Sequence, residues 1–229
     1  MKTFTKNKNA FTMLELVFVI VVLGILAAMA MSRLDRDLKQ EAADNILSSI
    51  RYTQHLALQD YKHKFDDPKW QQRFWRIVFN TCTGTDRYYM VGSDDDMESS
   101  PNAFFDRNES AIDPVNGKLM FWVGGDDCSG GGDGTVSEEI FISKKYGITA
   151  VTPLAGSGCA SAAHIAFDHL GRPHHGADFS QSGTGSHGIY KGYMKTACTF
   201  TFTMSDGDTF AISIEPETGY ASIVGQPGS

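Results

Sequence analysis

The strongest pattern in the chain lies at its start. Residues 1–10 are polar and carry Lys2, Lys6 and Lys8 with no acid. From Phe11 to Met31 the residues are overwhelmingly apolar, and Glu15 is the only charge. Such a run predicts a helix of about 31 Å at 1.5 Å rise per residue, close to the thickness of a bilayer's hydrocarbon core. Residues 11–31 are therefore expected to form a transmembrane half-helix in contact with membrane lipid. The flanking lysines would keep its N-terminus in the cytoplasm and put the C-terminal part in the periplasm, a single pass of the inner membrane.

Between Arg33 and Lys64 there is neither Gly nor Pro. Leu34, Leu38, Ala42, Ile46 and Ile50 recur at every fourth position, and a second row runs through Ala43, Leu47, Ile50, Ala57 and Tyr61. That period predicts an amphipathic continuation of the helix over 32–66, one side packed and the other in water. Asp66-Asp67-Pro68 marks its end, because Pro disfavours helical geometry in the residue before it.

From residue 67 onward the pattern changes to short alternating runs between Gly, Asp and Ser clusters. Strands are predicted over 74–79, 87–91, 118–123, 139–143 and 164–168. The clearest lie near the end: 199–204 alternates, Ser205-Asp206-Gly207-Asp208 turns, 209–214 alternates again, and Glu215 to Gly219 turns into 220–224. Residues 94–108 and 124–134 are loops. The predicted fold class is α+β: a long N-terminal helix, transmembrane in its first half, packed on an antiparallel β-rich domain spanning 67–229.

Charge narrows the function. The chain holds 20 Lys+Arg against 27 Asp+Glu. Without Lys2, Lys6 and Lys8 the balance is 17 to 27, a formal −10, which excludes a general electrostatic grip on nucleic acid. Cys82, Cys128, Cys159 and Cys198 all fall in the part expected outside the cytoplasm, where two disulfides are the simplest outcome. Three connectivities are open, and the two shorter-range bridges, Cys82–Cys128 and Cys159–Cys198, are preferred. There is no C-x-x-C for thiol redox work or a compact zinc site.

Other candidate chemistry is thin. His164, His169, His174, His175 and His187 crowd near Asp168 and Asp178, but without H-E-x-x-H or comparable spacing; they read as solvated loop histidines, not metal ligands. The Asp/Gly stretches at 124–134 and 205–208 depart from the EF-hand pattern and read as turns. Ser157 and Ser186 sit in Gly-rich loops without a nucleophile elbow, so no enzyme and no cofactor is expected. Residues Lys69 to Arg76 mix cations with aromatics, which suits stacking on single-stranded nucleic acid. The competing reading is a first strand with Arg76 pointing outward.

The string Ala10-Phe11-Thr12-Met13-Leu14-Glu15 closely resembles the class III signal of type IV pilins and type II secretion pseudopilins. The resemblance implies a leader over 1–10, cleavage by prepilin peptidase between Ala10 and Phe11, and N-methylation of Phe11. It also implies that Glu15 pairs with the new N-terminus of a neighbouring subunit. The implied partners are other pilin or pseudopilin subunits, the peptidase, and an inner-membrane assembly platform with its ATPase. Gly24, Ala27, Ala28 and Ala30 would let helices approach closely. Ala10 stands where the family usually has Gly, and Ser32 where major pilins usually have Pro; the second departure leans towards pseudopilins and minor pilins. Ile165 to Pro173 resembles the Phe-x-x-x-Gly-Arg turn of the H-type minor pseudopilin and its FimT-like relatives. Ile50-Arg51, Gln54 and Thr218-Gly219 fit the same group. The implied function is a minor subunit of a type II secretion pseudopilus. The alternatives are a minor pilin for DNA uptake or twitching, and a plain signal-anchored domain; some pseudopilins also hold calcium in an acidic C-terminal loop.

Overall fold

The computed structural model describes residues 13–62, 66, 73–95, 105–123, 126–159, 164–175 and 192–226, with the backbone alone for 28–37. The chain divides into two compact units, Met1–Gln40 and Glu41–Ser229. Helix α1, Met13–Gln59, contributes residues to both.

In the first unit the described side chains from Met13 to Ala27 are exposed, Leu14 at 83% and Phe18 at 70%. The expected transmembrane half is corrected here: among the described residues no helix is long and apolar enough to cross a membrane. The single-pass inner-membrane placement and the lipid contact rested on that segment and fall with it.

The second unit is an N-terminal helical region packed against an antiparallel β domain. On α1, Ala42, Ala43, Ile46, Leu47, Ile50 and Ala57 of the two predicted apolar rows form a buried face, whereas Leu38 and Tyr61 of the same rows are exposed. Each large side chain taken from water there stabilises the unit by about 1.5–3 kcal/mol. The helix ends at Gln59, earlier than the Asp66-Asp67-Pro68 break, and the Asp60 carboxylate next to it accepts from the Trp75 indole N–H at 3.0 Å.

The strands are β1 Trp75–Thr81, β2 Arg87–Gly92, β3 Ile148–Pro153, β4 His164–Phe167, β5 Pro173–His175, β6 Cys198–Met204, β7 Thr209–Ile214 and β8 Ala221–Ile223. They form two four-stranded antiparallel sheets, ordered β2-β1-β4-β5 and β3-β6-β7-β8. Phe79 on β1 lies 5.4 Å from the ring of Phe200 and 5.5 Å from that of Phe202 on β6, so an aromatic cluster joins the sheets. In β6 burial alternates strictly, Phe200 and Phe202 inward and Thr199, Thr201 and Thr203 outward, as its sequence demands. The β6–β7–β8 meander follows the predicted one.

Two predicted strands are absent. Residues 118–123 make only isolated bridges, Leu119 with Ile112 and with Val136. Residues 138–146 form a 3-10 turn, Glu138–Ile140, and a short helix α2, Ile142–Tyr146. The capping residues decide this: the Ser137 hydroxyl accepts from the Glu139 N–H, and Gly147 closes α2 in the left-handed region. Two disulfides, Cys82–Cys128 and Cys159–Cys198, have Cα separations of 5.8 and 5.0 Å. By chain entropy each closes a loop worth about 4 kcal/mol.

A single amide ties the helix to both sheets. Gln54 Nε2 donates to Gly171 O at 2.8 Å, in the β4–β5 turn, and to Thr218 O at 2.7 Å, in the β7–β8 turn. Gly219, at φ +66°, leaves no room for a side chain: a Cβ would sit 2.3 Å from Gly171 O and 2.5 Å from Gln54 Nε2. Gly219→Ala is therefore expected to destabilise the protein by about 1–3 kcal/mol in urea unfolding. Gly207→Ala, strained in φ but facing open space, should cost less.

Candidate functional site

The N-terminal candidate is built from the first turns of α1. Ala10 and Phe11 lie outside the described residues; Glu15 sits in the first helical turn, where a carboxylate complements the positive end of the helix dipole. Leu14, Val17, Phe18 and Val21 line an open apolar groove beside it. The large apolar residues of 13–26 are exposed between 37% at Val22 and 85% at Met13. A helix apolar on all sides stays out of water only against other surfaces, so this segment is built to be covered.

The cation–aromatic stretch behaves otherwise than expected. Lys69 to Gln72 lie outside the described residues. Arg76, expected on the surface, is fully buried on β1, because the second face of the sheet is covered as well. Burial pulls its guanidinium down to about 10, against the raising influence of Asp94 and Glu109. Trp75 has Lys62 Nζ 5.3 Å above its ring, and Lys62 itself pairs with Asp60 and Asp95. Of the described cations, Lys62 is thus paired with acids of the same chain and Arg76 is taken out of water.

The histidines are also rearranged. His164 on β4 and His174 on β5 are buried, not solvated in loops. His174 lies between the rings of Phe74 and Tyr193, with Nε2 3.3 Å from Asp168 Oδ2. The same carboxylate pairs with the Arg172 guanidinium at 2.7 Å and accepts from the Leu170 and Arg172 N–H groups at 2.9 Å. Asp168 thereby builds the Phe167-to-Arg172 turn that presents Gly171 O to Gln54. His187 and Asp178 lie outside the described residues. Among the described residues no three of His, Cys, Asp and Glu are placed to hold a metal ion.

The acidic Gly-rich loops are used internally. Asp127 accepts from Ser129 N–H and hydroxyl, and Asp133 from those of Thr135 while pairing with Arg107 at 3.0 Å. The Ser157 hydroxyl donates to Leu154 O at 2.7 Å, and Ser186 is outside the described residues.

Compared with known proteins, residues 5–31 match the prokaryotic N-terminal methylation motif, which is typical of type IV pilin-like proteins. No curated protein and no solved structure matches the chain. The motif and the helix-on-sheet fold are consistent with a type IV pilin or pseudopilin, and they imply processing by a prepilin peptidase and assembly with other pilin-like subunits.

Asp168 gives a pH signature. Burial alone would raise its carboxyl, but the His174 hydrogen bond, the Arg172 N–H, the His174 charge and the Leu170 N–H together hold it at about 2. A carboxyl below its ordinary value favours the folded state where it is ionised. Its contribution, about 2 kcal/mol, is present above pH ~4 and drains away as pH falls towards 2. Unfolding titrations of Asp168→Asn should lose that acid limb.

Proposed function

We propose that this chain is a minor pseudopilin, a structural subunit of a type II secretion pseudopilus or closely related type IV filament. The observation that carries the reading is the methylation motif over 5–31 running directly into a helix whose apolar side chains are exposed. Residues 1–10 are the leader; prepilin peptidase cuts before Phe11 and methylates its amine. The Phe11 ammonium of one subunit then meets the Glu15 carboxylate of the next, a charge-assisted contact whose strength grows as the helices around it exclude water. The neighbouring helices supply the cover that the apolar groove beside Glu15 lacks.

The part played is structural: copies assemble and nothing is turned over. An assembly ATPase and its platform protein would drive insertion. Ser32 and the Phe167-to-Arg172 turn favour a pseudopilin over a major pilin. The DNA-uptake alternative loses support, since Arg76 is buried and Lys62 is paired with acids.

Protein from its own host should lack Met1 to Ala10 and carry one methyl group on Phe11, read from intact mass and N-terminal fragments. An unprocessed N-terminus would sink the reading. Glu15→Val should fold normally yet enter filaments at least about tenfold less than wild type, equivalent to about 1.4 kcal/mol of docking energy.

A further inference from the structure

One cluster in the Glu41–Ser229 unit has no part in that reading and stands independently of it. Asn45 belongs to α1, Glu139 to the Glu138–Ile140 turn, and Lys145 to α2. One carboxylate holds them together: Lys145 Nζ contacts Glu139 Oε1, and Asn45 Nδ2 donates to Glu139 Oε2 at 3.3 Å. The Tyr146 hydroxyl donates to the same Oε2 at 2.9 Å. At the other end of the amide, the Tyr89 hydroxyl donates to Asn45 Oδ1 at 3.1 Å, and its oxygen lies 2.8 Å from the Ser49 hydroxyl. Tyr89 and Tyr146 are buried, while Glu139 and Lys145 are 25% and 33% exposed at their side chains.

An amine and a carboxamide therefore share one carboxylate, and the amide carbonyl of the half-buried Asn45 has a donor in the buried Tyr89. Donors aimed at an oxygen where negative charge will gather are worth most where water is excluded. Burial pushes the Tyr89 hydroxyl well above its ordinary value, so it stays protonated and able to donate.

We propose that Lys145 and Asn45 join in an intramolecular isopeptide bond, with Glu139 as the proton carrier and Tyr89 as the donor to the carbonyl oxygen. Glu139 takes a proton from the Lys145 ammonium, and the freed amine attacks Asn45 Cγ. A bond forms between Nζ and Cγ; the bond between Cγ and Nδ2 breaks. Of the two protons Nζ gives up, one passes through Glu139 to Nδ2, which leaves as ammonia, and the other goes to solvent with it. No oxidant or cofactor enters the balance.

The consequence is a covalent tie where the fold otherwise has none. The two disulfides join residues 82, 128, 159 and 198 and leave α1 covalently attached by main chain alone. A partly exposed Lys–Glu pair contributes little, whereas an amide between α1 and α2 holds against load.

The test uses the full purified chain. After reduction of the disulfides, its intact mass should be lower than that of the same processed sequence by one molecule of ammonia. Trypsin should release the peptide ending at Arg51 joined to the one containing Lys145. Lys145→Arg and Glu139→Gln should each restore the lost mass and separate the two peptides. A wild-type chain at full mass with both peptides free overturns the proposal. So does an ammonia loss that persists in Lys145→Arg, which would point to cyclisation elsewhere, for instance at Asn116-Gly117. The wild-type mass alone decides the matter should either variant fail to fold.

Discussion

The Glu41–Ser229 unit depends on burial of one face of α1 and on what that burial makes possible for Gln54. Ala42, Ile46, Ile50 and Ala57 are buried against the domain, and small residues among them let the backbone come close. At that distance a single carboxamide reaches two carbonyls from turns in different sheets. Hydrophobic contact supplies the energy and is indifferent to register. The two hydrogen bonds fix the register, since a helix shifted by one residue would leave both carbonyls without this donor.

Around that junction the polar groups work in chains. Asp168 shapes the turn that offers Gly171 O; Gly219 keeps the opposing turn flat enough to approach it. Further along the helix, Asn45, Ser49 and Tyr89 do the same for the loop carrying Glu139. The exposed apolar segment at the start of α1 has no such network. Its described apolar side chains are exposed, with the Glu15 carboxylate in the first turn among them.

How far the sequence could be read follows from how local each signal is. The helix face, the β6–β7–β8 meander and the leader motif are written in consecutive or regularly spaced residues, and all three were legible. The membrane-crossing reading took the whole run 11–31 as one apolar rod, whereas among the described residues no helix is long and apolar enough to cross a membrane. Arg76 was misplaced because period-two alternation says which face a residue takes, not whether that face is later covered. Residues 139–143 look like a strand in composition; Ser137 and Gly147, just outside, are what turn them into helix. The Asn45–Glu139–Lys145 cluster left no trace at all, because its members are common surface residues brought together only by the fold.

The Gln54 bridge also says something about time. Gln54 and Thr218 lie 164 residues apart, so the contact cannot close before the chain through Thr218 has been made. Phe79 must likewise wait for Phe200 and Phe202. Contacts so distant along the chain are slow to form, and a nascent chain carrying them remains open until both partners have been made. The residues of the methylation motif are thus made long before the β domain that follows them has taken its shape.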